Sequence, residues 1–335
     1  MNSTLQSYSM TMSSTAIIIN RISRWLNYLF AIPMIILGII GAILTIIVFT
    51  RKRSFRCNPT IIYLLAGAIM TAIHLPTIYL QSILVDGFGL GIFNTNDIAC
   101  REHNYLLYVT TVPTISFPCW AAFDQYASTY YEVNFRNHWS SIRIVRLAIF
   151  FTIIIYIPII LISNSINNVC ILIDSPIKKF YNYFLTPIVY TIGPLILIII
   201  FTLGTIRNLR FMNFIHRRTR LTKQIRRMLI PQLFVLVISG IPFGIQNIYD
   251  DLTSKIEKDI LRLSIEHLFV QIIRLFYHCN FVCTFYIYFY MSSVVRKVLR
   301  ELLFKHIRQN HILQTDMSLN NSITLKTLKS TKCTI

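Results

Sequence analysis

Charge is what this chain most lacks. Only 13% of its 335 residues are Asp, Glu, Lys or Arg, about half the roughly 25% usual in a soluble domain. Acidic residues are the scarcer sign, 13 against 32 basic ones. Glycine is thin as well, 10 in the whole chain, and no Gly/Ser-rich linker or composition break divides the sequence into globular halves. The seven cysteines form no Cys/His cluster with zinc spacing. Titratable residues inside the apolar stretches are few: His74, His103, Asp124, Glu266, His267, Arg274 and His278. They are scattered and have neither hydrolase nor metalloprotease spacing. An enzyme is therefore not expected, and nothing calls for a metal or a cofactor. The net charge of +19 does not point to nucleic acid either. The basic residues sit in short blocks between apolar runs, not on one amphipathic face.

What is present is hydrophobic sequence, 54% of the chain, in seven windows of membrane-spanning length. They fall at Leu26–Phe49, Thr60–Ile83, His103–Tyr126, Val145–Ser163, Tyr183–Ile206, Met228–Tyr249 and Glu266–Tyr290. Each approaches the ~20 residues that a 30 Å hydrocarbon slab demands. Continuous Ile/Leu/Phe runs, without the ~10-residue alternation of barrel strands, make them helices. The first window starts late, lacks a small-residue cleavage pattern and is followed by Arg51, Lys52 and Arg53, so it reads as a span and not as a signal peptide. Residues 1–24 precede the bundle, and 306–335, rich in Ser, Thr, Asn and Lys, read as a disordered tail.

Orientation follows from the basic residues, which are retained on the cytoplasmic side. They concentrate after spans one, three, five and seven, with eight in 207–227 alone. Asp86, Asp97, Glu102, Asp174, Asp250, Asp251, Glu257 and Asp259 fall on the opposite side. The N-terminus is then extracellular, the tail cytoplasmic and the chain a multi-pass protein of the plasma membrane. Asn2-Ser3-Thr4 is a glycosylation acceptor on the external side. Pro113, Pro118, Pro158, Pro194 and Pro242 predict kinks, whereas Pro33 and Pro76 read as ordinary packing irregularities.

Only Cys100 and Cys170 lie in external segments, where disulfides persist, and a bond between them would pin the loop after span four over the mouth of the bundle. Cys57 and Cys333 are cytoplasmic, and Cys119, Cys279 and Cys283 read as small packing residues within helices. Cys333-Thr334-Ile335 is one residue short of a prenylation box.

Seven helices, an external N-terminus and the Cys100–Cys170 tether resemble a rhodopsin-like (class A) G-protein-coupled receptor, in a divergent form close to invertebrate neuropeptide-type receptors. The likeness covers about residues 25 to 305. It rests on Gly41 in span one, Asn58-Pro59 before span two, Asp124-Gln125-Tyr126 at the end of span three, Pro194 and Pro242, and Asn280 with Tyr288 in span seven. After span seven, Ser292-Ser293-Val294-Val295-Arg296-Lys297 resembles the family's short amphipathic eighth helix. The expected fold is thus all-α, a seven-transmembrane-helix bundle with that eighth helix. Departures are clear too. Ala42 stands for asparagine, span two lacks the sodium-binding acid, and Gln125 replaces the coupling arginine. Ser239-Gly240-Ile241-Pro242 replaces Cys-Trp-x-Pro, and Thr284-Phe285 replaces Asn-Pro.

The resemblance implies an extracellular ligand and a cytoplasmic heterotrimeric G protein as partners. Coupling residues would be Asp124, Gln125, Tyr126 and Tyr288, and without an arginine at Gln125 the inactive-state lock is expected to be weak. Leu107 occupies the place of the amine receptors' aspartate, which disfavours monoamines and leaves a peptide as the expected ligand. Arg274 is the leading contact, with Tyr105, Tyr108, Gln246 and Gln271 as further wall residues. An arginine in a membrane costs about 2.5–3.5 kcal/mol on insertion scales, so it should face the interior. Two readings stay open for it: a ligand contact, or a structural pair with Glu266 or Gln271. The basic 207–227 loop would meet the G protein and anionic inner-leaflet lipid. The alternatives are a non-signalling or decoy receptor of the same fold and, from another class, a transporter or channel.

Overall fold

The computed structural model describes residues 14–90, 96–166, 169–172, 176, 180, 193–212, 220–253 and 256–302. The described chain is overwhelmingly helical. In order come α1 (Ser14–Arg51), α2 (Pro59–Phe88), α3 (Asp97–Ser128), the short α4 (Val133–Trp139) and α5 (Ile142–Leu161). A two-stranded hairpin follows, then α6 (Gly193–Met212), α7 (Arg220–Thr253), α8 (Ile260–Met291) and α9 (residues 293–302). Six of these helices are long and apolar enough to cross a membrane. In the fifth window the described apolar helix, Ile196–Asn208, is shorter, and residues 181–192 lie outside the described ones.

Helix ends follow local chemistry. Asn58 caps α2 by accepting from Ile61 N at 3.3 Å, with Pro59 at the first helical position where no donor is needed. Asn96 caps α3 by accepting from Ile98 N at 3.0 Å. At the other end of α2, Gly89 turns left-handed (φ +70°), and its N–H and that of Leu90 return to the carbonyls of Val85 and Leu84. A residue without Cβ adopts that conformation at no steric cost.

Most helices outrun their hydrophobic windows. α1 begins at Ser14, twelve residues before Leu26; α2 continues to Phe88; and α8 starts at Ile260 instead of Glu266. Pro33 and Pro76, expected to be neutral, mark changes in the helical ladder. π-helical turns span Asn27–Ala31 and Leu75–Tyr79, closed by Ile32 N to Asn27 O and Leu80 N to Leu75 O. Proline supplies no N–H to the carbonyl four residues back, and a wider turn re-registers the bonds around it. Pro113, Pro118 and Pro242 lie inside helices as expected, as does Pro231. A turn at 155–157 interrupts α5 before Pro158. Pro194 is the second residue of α6, so any bend it causes falls outside the described residues.

Apolar residues cover the outside of the bundle as well as filling its core. On α1 Ile36, Ile40, Ile43 and Ile47 form an exposed stripe at helical spacing, while Ile35, Ala42, Thr45, Val48 and Phe49 face inward. An exposed apolar surface of this extent is what lipid covers. Two glycines let α1 approach its neighbours. A Cβ on Gly38 would stand 2.5 Å from Leu75 Cδ1, and one on Gly41 would stand 3.1 Å from Phe285 Cβ.

The hairpin, β1 (Ser163–Ile166) and β2 (Val169–Leu172), pairs antiparallel with Ser165 opposite Cys170. It is the one departure from an all-α expectation among the described residues. Cys170 is bonded to Cys100 at the start of α3, with Cα atoms 5.4 Å apart. Arg101 donates to Ser163 O (3.1 Å), and the Asn104 amide reaches Ser163 Oγ (3.2 Å), so the hairpin is fastened to α3 at several points. Cys57, Cys119, Cys279 and Cys283 remain thiols; Cys333 lies outside the described residues, as do Asn2 and the tail from 306. After a break at Ser292, α9 buries Val295 and Val298 and exposes Lys297 and Arg300. This is the amphipathic pattern expected of it.

Candidate functional site

Polar groups gather at three levels along the bundle. At the disulfide end, Arg274 of α8 is paired through Nη1 with Asp86 of α2 and donates to Ser82 Oγ at 2.5 Å. Their side chains are only 31% and 15% exposed. His267 Nε2 approaches the other Asp86 oxygen at 3.8 Å, and Ser23 Oγ of α1 reaches His267 Nδ1 at 3.2 Å. One carboxylate thus ties α2 to α8, and α1 joins through a histidine.

This corrects the expected partner of Arg274, which is neither Glu266 nor Gln271. Glu266 is taken by Lys258 Nζ (2.6 Å), Arg262 Nε (2.9 Å) and Tyr249 Oη (2.7 Å). Gln271 is buried beside Asp86, whose negative charge its side chain helps to hold. Of the other anticipated wall residues, Tyr105 and Tyr108 are half-buried on α3, Tyr108 stacked on Tyr156 with ring centres 6.0 Å apart. Gln246 donates to Asp250 at 2.8 Å. A cavity of about 760 Å³ between α7 and α8 has Gln246 on its wall, and its lining does not include the other four.

At mid-depth, α2, α3 and α8 meet through two buried histidines. His74 Nδ1 lies 2.9 Å from Thr110 Oγ1, its Nε2 lies 3.4 Å from His278 Nε2, and His278 Nδ1 lies 2.7 Å from the Arg274 carbonyl. A carbonyl only accepts, so His278 Nδ1 carries the hydrogen and, in a neutral ring, its Nε2 is a bare acceptor. His74 must then donate from Nε2 and accept at Nδ1. The Thr110 hydroxyl also reaches Leu106 O at 2.6 Å. That bond takes its one proton, and the Thr111 hydroxyl, 3.5 Å from His74 Nδ1, is the donor open to the ring. The result is a chain of polar contacts running from α3 through His74 and His278 to Arg274 O. It ends on the backbone of the residue held by Asp86. Each ring is also stacked, His278 on Tyr79 (3.7 Å) and His74 on Phe281 (4.6 Å).

At the far end, Asp124 is buried, 3% exposed. It accepts from Thr60, at the first turn of α2, and from Ser140, just past α4, at 2.5 Å. Gln125 Nε2 donates to the same Thr60 at 2.6 Å. With glutamine at position 125, it is the Thr60 and Ser140 hydroxyls that contact Asp124. Tyr126 packs on Tyr130 and Phe201 and stands against Gly204 of α6. Tyr288, fully buried, donates to Gln232 of α7 at 2.5 Å.

Ser82, Asp86, Thr60, Ser140 and Gln232 are the partners that sequence reasoning missed. Counting residues from a common membrane face would have paired some of them: Asp86 and Arg274 are both on the inner faces of neighbouring helices. His74 and His278 were both seen, but as scattered groups. Among the described residues, no group of three or more His, Cys, Asp or Glu side chains is placed to hold a metal ion.

Neither a protein-family model nor any curated protein matches this chain.

Proposed function

We propose that this chain is a seven-helix receptor of the rhodopsin-like kind, with its disulfide end outside the cell. It binds a peptide near Arg274 and signals to a heterotrimeric G protein at the far end. One observation carries the reading: separate polar sites at the two ends of one bundle, with the histidine pair between them contacting α2, α3 and α8. A receptor needs that division, a site that feels ligand and a distant site whose geometry the partner reads. Carbonyl and carboxylate groups of a peptide suit the guanidinium fork of Arg274, which a ligand reaches by competing with Asp86. The far-end hydroxyl lock on Asp124 is the element whose opening the partner would sense. The orientation agrees with the disulfide's need for an oxidising compartment and with the basic 207–227 segment on the opposite side.

The test is G-protein recruitment in cells, basal and against a neuropeptide library, with Gln125→Arg and Arg274→Ala beside the native chain. Native recruitment by some library peptide is expected, with Arg274→Ala losing about tenfold in potency, equivalent to ~1.4 kcal/mol. Gln125→Arg, which adds a cation next to Asp124, should lower basal recruitment. A silent native chain with a responsive arginine variant would mean a decoy receptor that has lost coupling. Silence in both, with solute flux in proteoliposomes, would replace the receptor by a transporter.

A further inference from the structure

The 760 Å³ cavity between α7 and α8 lies in the size range of small-molecule sites. Of the five residues expected to contact a receptor ligand, Gln246 alone is on its wall. Its polar residues are confined to one end. Toward the disulfide end Gln246, Tyr249, Asp259, Arg262 and Glu266 stand beside the apolar Leu261 and Ile265; deeper lie only Pro242, Ile245, Phe269 and Ile273. Ile245 and Phe269 are 62% and 58% exposed, so the apolar part opens sideways, toward lipid, and not into the bundle core. From Asp259 to Ile273 the α8 wall runs about 21 Å, and from Pro242 to Tyr249 the α7 wall runs about 10 Å, at 1.5 Å per residue. These lengths bracket the ~15 Å hydrocarbon depth of one leaflet.

The polar rim is specific about charge. Glu266 is satisfied by three donors and compensated by Lys258 and Arg262. Arg262 spends Nε on Glu266 and one Nη2 hydrogen on Tyr249 Oη. A guanidinium has five N–H donors, so among the described residues three remain for an anion. Asp259, at the start of α8, makes no side-chain capping bond and offers a negative charge on the same rim. A head group carrying only one sign would meet a like charge there; one carrying a phosphate and an ammonium complements both.

We propose that this cleft binds a zwitterionic single-chain phospholipid from the leaflet at the disulfide end. Its phosphate lies toward Arg262, its ammonium toward Asp259, and its acyl chain runs along Ile245, Phe269 and Ile273. The volume holds one chain and a head group, so a diacyl lipid enters with one chain only. The site is separate from Arg274 and does not depend on the receptor reading.

The experiment uses the full chain in diacylphosphatidylcholine nanodiscs and a lysophosphatidylcholine carrying a diazirine at mid-chain. After irradiation, the labelled peptides are located by mass spectrometry. Label should concentrate on the segments holding Ile245 and Phe269 and fall at least fivefold with unlabelled lysophosphatidylcholine, but not with a fatty acid of equal length. Ile245→Trp fills the cleft without touching the ionic cluster, and Arg262→Gln removes the phosphate donors; each should lower labelling at least fivefold. Label spread evenly over all outward helix faces, or unchanged in Ile245→Trp, would mean bulk lipid and overturn the proposal. Equal competition by fatty acid would overturn the head-group assignment, and with it the zwitterionic ligand.

Discussion

The ion pair between Asp86 and Arg274 shows how a single residue acquires its partner. In a membrane an arginine without a counter-charge is costly, and here the counter-charge stands near the end of α2. Removing it by Asp86→Ala should destabilise the chain by about 1–3 kcal/mol, the usual cost of stripping a buried polar group of its partner. Thermal unfolding in nanodiscs would read this, and exchanging the two charges (Asp86→Arg with Arg274→Asp) should recover most of the loss. An unchanged midpoint in Asp86→Ala would mean that water or Ser82 alone carries Arg274. The arginine was legible in the sequence because charge is so rare in the apolar windows; its partner was not. Asp86 falls beyond the last apolar residue of its window and reads as a loop acid, whereas the helix continues to Phe88 and stops only at left-handed Gly89. Asp124 is the converse case. Its position was legible, but its burial by Thr60 and Ser140 depends on two elements whose approach no local pattern encodes.

Between elements, close approach is the informative quantity. Where α1 meets α8, Gly41 leaves 3.1 Å between a hypothetical Cβ and Phe285 Cβ, tight enough that any side chain must push Phe285 aside. Gly41→Leu should therefore cost about 1–3 kcal/mol through overpacking. The thermal midpoint should drop, whereas Ile40→Leu on the exposed stripe of the same helix leaves it in place. Equal effects at both positions would contradict the packing described here. Apolar windows locate helices well, because a slab of hydrocarbon selects for composition and length. They locate ends poorly. Turns broken by a few polar residues, such as 14–25 of α1 and 260–265 of α8, lie beyond the windows and stay helical, since the backbone ladder continues wherever a cap does not stop it. The hairpin was missed for a related reason. Four-residue strands of Ser, Asn, Ile and Val beside a span carry too little alternation to register.

At the scale of the whole molecule, the Cys100–Cys170 bond makes a closed covalent ring of residues 100–170, threaded through two membrane-crossing helices, α3 and α5, and the short α4 between them. The ring is widest from its fastening at the segment after α3, where Tyr131 is among the most exposed residues of the chain. A protease site introduced between Tyr131 and Glu132 should consequently cut the backbone without dividing the molecule. On a denaturing gel the nicked chain should run as one species until reductant is added, then as two fragments. Two fragments without reductant would mean that the bond is absent. Continuity of the backbone and integrity of the molecule are thus different properties here. The loop at one face can be opened while the bond at the opposite face still holds the two halves together.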